Sequence, residues 1–230
     1  MVTTVARLRE RHTAAPAASA AVLFAVLAVV RVAGAFTVAL MALSVLLSAA
    51  VLVVVEREGR ADGAGLCRFA LRPAVAGTAL VALAYAETFL ATRAAFGRGE
   101  DNWVVLVPKL FDGLVPGPHW LGVAAMLLVM GAVVPLAEEV CYRGVLYSAV
   151  RRAAGGYAAM VLTAAGWALV HLGDYGLHPL NPKVICGVLP SVFLMGLALG
   201  VCRALTGSAL ACAVAQGVCN LLLLGAIALL

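Results

Sequence analysis

Two adjacent carboxylates, Glu138 and Glu139, with Arg143 close behind, form the densest charge group in an otherwise apolar stretch, Pro135-Leu-Ala-Glu138-Glu139-Val-Cys-Tyr-Arg143-Gly144. On a helix Glu139 and Arg143 stand at i,i+4 with the acid on the N-terminal side, the favourable orientation for a same-face ion pair. Glu138 is turned about 100° away from its neighbour. One carboxylate is thus neutralised while the other stays available. The next ionisable group at comparable depth is His171, in Trp167-Ala-Leu-Val-His171. A carboxylate facing an imidazole inside a bundle supplies the parts needed to deprotonate a water. Further on, Gln216 and Asn220 stand at i,i+4 in an apolar run. Their amides can donate to a developing oxyanion.

Each of these features also has an ordinary structural reading. Glu139–Arg143 is more often a structural ion pair than a catalytic one, and a lone His171 is more often packed than reactive. Gln216 with Asn220 has the form of interhelical glue. Glu87 reads as a polar contact facing the bundle interior, His119 and His178 as interfacial histidines, and Asp174 as a loop residue. Taken one at a time, these residues make no enzyme.

The elements that must position them follow from composition. Hydrophobic residues make up 64% of the 230 and charged residues 12%, with a mean hydropathy of +1.07. A soluble domain carries roughly twice that charge, so a water-soluble fold is excluded. The apolar runs are continuous and rich in Ala, Leu and Val, without the alternation of a membrane barrel. The fold class is therefore all-α, a polytopic transmembrane bundle. Spans are expected near 15–34, 36–55, 74–94, 119–140, 156–172, 184–203 and 208–229, about seven in all within a range of six to eight. The first two form one long apolar run interrupted by Arg31 and Gly34. A single straight helix of about forty residues would measure about 60 Å, twice the hydrocarbon thickness. A cleaved leader ending at Ala33-Gly34-Ala35 is the other reading of the first span.

Basic residues support the seven-span count. With the N-terminus cytoplasmic, inner segments hold Arg7, Arg9, Arg11, Arg57, Arg60, Arg68, Arg72, Arg143, Arg151, Arg152 and Arg203, against Arg93, Arg98, Lys109 and Lys183 outside. That is the positive-inside bias. Residues 1–118 read as N-terminal spans and loops, with 95–118 an outer or interfacial segment, and residues 119–230 read as the reactive core. Gly155-Gly156, after Arg151 and Arg152, is a cytoplasmic turn. Folding back there brings Glu138 and His171 to nearly the same height, at about 1.5 Å per residue. The six cysteines lack CxxC spacing and fall mostly in apolar runs, so neither disulfides nor a zinc framework is expected. No groove of interleaved basic and aromatic residues suits a nucleic acid.

Taken together the residues resemble a family. Glu138-Glu139-Val-Cys-Tyr-Arg143 matches the EExxxR motif of the CPBP family, intramembrane glutamic endopeptidases that include the CAAX-processing prenyl proteases. Trp167-Ala-Leu-Val-His171 resembles its FxxxH motif, with Trp for Phe. The segment from Thr206 to Asn220 resembles its third motif, HxxxN, with Gln216 where the histidine usually stands. The resemblance covers about residues 119–225. It implies that Glu138 is the general base for a water with His171 as partner, that Glu139 and Arg143 orient the site, and that Gln216 and Asn220 form an oxyanion hole. Gln216 cannot titrate but can donate an N–H; if that position must carry charge, the chain is weak or silent. The implied partners are the lipid bilayer and a membrane-anchored protein or peptide, cleaved near a helix end, with no metal or cofactor. Bacterial members of the family are linked to bacteriocin maturation or immunity, to cleavage of membrane-bound regulators, and to removal of C-terminal sorting helices. Abundant Ala, Val, Arg and Gly fit a GC-rich bacterial genome and hence an inner-membrane location. A catalytically silent bundle acting in immunity or assembly, or a proton-coupled transporter, is the other class of function. HExxH, GxSG and GxGD are absent from the sequence, which argues against zinc, serine and aspartyl intramembrane proteases.

Overall fold

The computed structural model describes residues 22, 25, 26 and 28–32, then 65–111, 115 and 117–229. The expected span at 36–55 and the choice between a first span and a cleaved leader lie outside the described residues. Residues 28–32 are helical. The remaining helices are α1 (Leu71–Phe96), α2 (His119–Leu128), α3 (Val134–Glu139), α4 (Tyr147–His171), α5 (Pro182–Thr206) and α6 (Ala209–Ala228), and among the described residues no β-strand forms. Leu71–Phe96, His119–His171, Pro182–Thr206 and Ala209–Ala228 are the four helical stretches among them long and apolar enough to cross a bilayer. The count of seven therefore extends beyond what these residues show.

The stretch from His119 to His171 is two helical legs. Gly155 breaks it, with φ 87° and ψ 172°, a conformation that a side chain would strain. The Trp167 indole reaches Glu138 at 3.0 Å, whereas 29 residues of straight helix would separate them by about 43 Å. The chain thus turns back at the Gly155-Gly156 pair.

The bundle is built for lipid. Helix α1 turns Ala74, Gly77, Val81, Ala84, Tyr85, Thr88 and Thr92 inward and exposes Leu71, Val75, Leu80, Leu83 and Leu90. Helix α6 buries Ala211, Ala215, Gly217 and its two amides while exposing Leu210, Val214, Val218 and Leu222. Lipid tails are as apolar as leucine, so close backbone approach by small residues and interhelical hydrogen bonds hold the helices together. Glu87 lies on the exposed face of α1, a correction to its expected inward position: the inner face passes through Ala84 and Thr88 and leaves position 87 outside.

The first leg carries two wide π turns, Val129–Val133 and Val140–Leu146, on either side of α3. Pro135 contributes to the first. It has no N–H to give the carbonyls of the preceding turn, and the Asn220 amide donates to Met130 O instead, at 2.9 Å. Gly131 O faces Gly217, where an added Cβ would collide with it. The second π turn begins directly after the paired glutamates, as such bulges often do at reactive sites.

Helix ends are fixed locally. The Asn181 side chain accepts from Lys183 N and Val184 N to cap α5, Gly207 closes it in the left-handed region, and Ser208 caps α6. Two short 3-10 turns, Trp103–Leu106 and Pro108–Phe111, fill the segment read as an outer loop, and Trp103 is buried against Tyr175 with ring centroids 5.2 Å apart. There Lys183 and Asn181 bond to Asp101 and hold its carboxyl below the usual carboxylate range.

The Gly131–Gly217 contact makes a stability prediction. Gly217→Ala is expected to lose about 1–3 kcal/mol through overpacking, while Gly225→Ala, where an added methyl meets nothing within 4 Å, is expected to keep or slightly raise stability. Thermal unfolding in detergent separates the two. Equal effects would contradict the close approach of α6 to the proline turn.

Candidate active site

Glu138 is the centre of the site. Its carboxylate is 4% exposed, and an ionised acid buried to that extent needs donors around it. Oε2 accepts from Trp167 Nε1 at 3.0 Å and from Gln216 Nε2 at 2.8 Å, and Oε1 accepts from Arg31 Nη1 at 2.8 Å. Three separate parts of the chain therefore converge on one side chain: the N-terminal stretch, the return leg after Gly155, and α6.

Glu139 and Arg143, both fully buried, pair at 2.5 Å on the same rod. The pair is held from three directions. Arg143 Nη2 donates to Gly196 O at 3.0 Å, its guanidinium lies 4.8 Å above the Trp167 ring, and Arg203 Nε donates to Arg143 O at 2.8 Å. Gly196 makes room, since a Cβ there would meet Ala164 at 3.0 Å and the Arg143 guanidinium at 3.3 Å. Trp167 is thus a shared wall: its N–H holds Glu138 and its ring face holds Arg143.

His171 stands edge-on to Trp167, ring centroids 4.8 Å apart, with Nδ1 2.8 Å from Trp167 O. A carbonyl only accepts, so Nδ1 carries a proton, and in the neutral form of the ring Nε2 is an acceptor. The imidazole lies within electrostatic reach of Glu138. Carboxylate and imidazole share a site without a direct bond between them, which leaves the geometry open to a bridging water.

The two α6 amides differ. Gln216 donates to Glu138, whereas Asn220 ties helices together, donating to Met130 O and accepting from Tyr85 at 3.0 Å. Each amide nitrogen has a second N–H. Gln216 Oε1 and Glu139 Oε2 are buried acceptors with no partner among the described residues.

Three contributors do not emerge from sequence reading. Arg31 donates to Asp174 through Nε at 2.8 and 3.0 Å and through Nη2 at 2.6 Å, besides its bond to Glu138. Arg31 reads as a mere interruption of an apolar run and Asp174 as loop chemistry. Yet a charge flanked by apolar residues is the signal that marks Glu138 itself. The third is the indole N–H of Trp167, the one polar atom that phenylalanine would lack at that motif position.

The two glutamates differ in what their loss would leave behind. Without Glu139, Arg143 keeps only a carbonyl and a ring face, so Glu139→Gln is expected to cost about 3–5 kcal/mol. Without Glu138, Arg31 keeps Asp174, and Glu138→Gln preserves volume, so its cost should be clearly smaller. Thermal unfolding of both variants in detergent tests this. Glu138 is itself ion-paired with Arg31, which corrects its expected availability; equal losses would contradict the difference between a pair closed on itself and a carboxylate whose cation has Asp174 as a second partner.

Residues 120–222 match the model of a protein family described as Type II CAAX prenyl endopeptidase Rce1-like. The match spans Glu138, Glu139, Arg143, Trp167, His171, Asp174, Gln216 and Asn220; Arg31 lies outside it. Comparison with curated proteins and with solved structures gives no match. Over residues 120–222 the chain is thus similar to the Type II CAAX prenyl endopeptidase Rce1-like family, a family of membrane proteases.

Proposed function

We propose that this chain is an intramembrane endopeptidase that cleaves a membrane-anchored protein or peptide near a helix end, using a water activated by Glu138 and His171. The observation that carries this reading is the convergence on Glu138: a buried carboxylate held by Trp167, Gln216 and Arg31 beside an imidazole whose Nδ1 is spent on Trp167 O. The family match over residues 120–222 supports the hydrolytic class. In this reading the N-terminus is cytoplasmic in a bacterial inner membrane, and the substrate segment enters from the lipid. Removal of a C-terminal sorting or anchor segment fits such a site.

In the proposed step a water bridges Glu138 Oε1 and His171 Nε2. Its oxygen attacks the scissile carbonyl carbon as one proton passes to Glu138, and the tetrahedral oxyanion takes an N–H from Gln216, with Asn220 next to it. Collapse breaks the C–N bond, and the proton returns to the leaving amine. Glu139 and Arg143 take no proton; they hold the rod and the Trp167 wall in place. No metal is required by this scheme.

The test lies at the position where the family's usual histidine is replaced. Gln216→Ala is expected to lower turnover of a membrane-anchored reporter in vesicles by about 10²–10³-fold with substrate binding nearly unchanged, the size of one lost oxyanion donor. Gln216→His should keep or raise activity, and a chelator should leave the wild type unaffected. A wild type that cleaves no reporter, alongside an active Gln216→His variant, would replace this reading with a silent bundle acting in immunity or assembly.

A further inference from the structure

Glu138 can act as a base only if it is ionised at membrane depth, and an ionised carboxylate there requires a counter-charge. Arg143 is spent on Glu139 and Gly196 O, and His171 donates to Trp167 O rather than to the carboxylate. Among the described residues the cation bonded to Glu138 is Arg31, from outside the family match. We propose that Arg31 is a positioning residue for the reaction, a guanidinium brought by the N-terminal part of the chain, gripped by Asp174 and lending one N–H to Glu138. This rests on the function proposed above and adds a residue to its machinery.

Three observations carry it. The first is the geometry of the fork. Nε and Nη2 engage Asp174 side-on with three contacts of 2.6–3.0 Å, leaving Nη1 to reach Glu138 Oε1 at 2.8 Å. A planar guanidinium held along one edge fixes the direction of its remaining arm, so Asp174 aims Arg31 and Arg31 aims the carboxylate. The second is the distribution of charge. Most of the guanidinium is matched by Asp174, and its single bond to Glu138 leaves Oε1 a second lone pair for a water. The third is backbone docking. An added Cβ at Gly173 would lie 2.5 Å from Arg31 O and 2.6 Å from Val32 Cα. The helical stretch 28–32 thus rests directly on the turn after His171, and only glycine permits that approach. Arg31 and Asp174 side chains are 19% and 8% exposed, so the contact lies within the packed protein, where such a bond holds its geometry.

The experiment has two arms, both on the full chain in vesicles. In the first, Val32→Cys and Leu172→Cys stand next in sequence to Arg31 and Gly173, whose backbones meet at the contact, and replace no charged group. They are placed in a background with Cys67→Ser and Cys186→Ser, which removes the two native cysteines that are not buried. A short bis-maleimide should join them within one chain, as read by peptide mass spectrometry. Failure to join them overturns the docking and the proposal with it. The second arm is kinetic. Arg31→Gln should lower kcat by about 10²-fold with KM within about twofold, the cost of a misplaced reacting group. Arg31→Lys, which keeps the charge without the fork, should recover about a tenth of wild-type kcat. Should Arg31→Gln fail to fold, Asp174→Asn is the second variant, and it should lower kcat about tenfold with KM unchanged by loosening the aim.

An Arg31→Gln protein with wild-type or raised kcat, or with its loss confined to KM, overturns the proposal. If Glu138→Gln is inactive in the same assay, the proposed function survives that result. A wild type that cross-links but cleaves no reporter removes both the proposed function and this role, leaving Arg31 as a structural tie.

Discussion

A carboxylate buried among apolar helices must be surrounded by donors, and the arrangement around Glu138 follows from that requirement. Its two oxygens are reached from residue 31, residue 167 and residue 216. These positions are far apart in sequence, and helices of a polytopic bundle can deliver them to one point only if the chain reverses at the right heights. The break at Gly155 sets one height. The Gly207-Ser208 junction between α5 and α6 sets another, through a left-handed glycine followed by a serine cap.

The first leg bears two π turns, and they flank the helical turn that carries the paired glutamates. Pro135 removes a backbone donor, and Asn220 makes up for it on Met130 O. The same missing donor helps explain why Gly217 must be a glycine. The π turn over Val140–Leu146 follows Glu139 directly. Arg143, inside that turn, still reaches Glu139 at i,i+4. A buried ion pair of this kind is weak evidence for stability, yet losing one partner leaves the other uncompensated. Trp167 then links the two carboxylates, with its edge toward Glu138 and its face toward Arg143.

Much of this was legible in the sequence because helix geometry is periodic. The spacing of Glu139 and Arg143, the reversal at Gly155-Gly156, and the approximate places of α5 and α6 follow from rise, turn signals and the length of the apolar runs. Less legible were contacts that join distant segments. Nothing in the periodicity of the first apolar run says that Arg31 would meet Asp174, since that depends on the packing of a stretch against a turn more than a hundred residues later. Nor does spacing say how two amides on one helix face are used. Gln216 meets the carboxylate, while Asn220 meets a carbonyl that a proline leaves unpaired. Glu87 shows the limit in the other direction: one step around a helix separates an inward from an outward side chain.

The central claim is that Glu138 and His171 act on one water as a unit, and a double-mutant cycle on reporter cleavage in vesicles tests it most directly. Groups that act together are non-additive in kcat. Glu138→Gln and His171→Asn should each lower kcat by about 10²–10⁴-fold, the range for a positioned acid–base group, and the double variant should be scarcely slower than the worse single one. Losses that multiply, or a Glu138→Gln protein that retains wild-type turnover, would contradict the account.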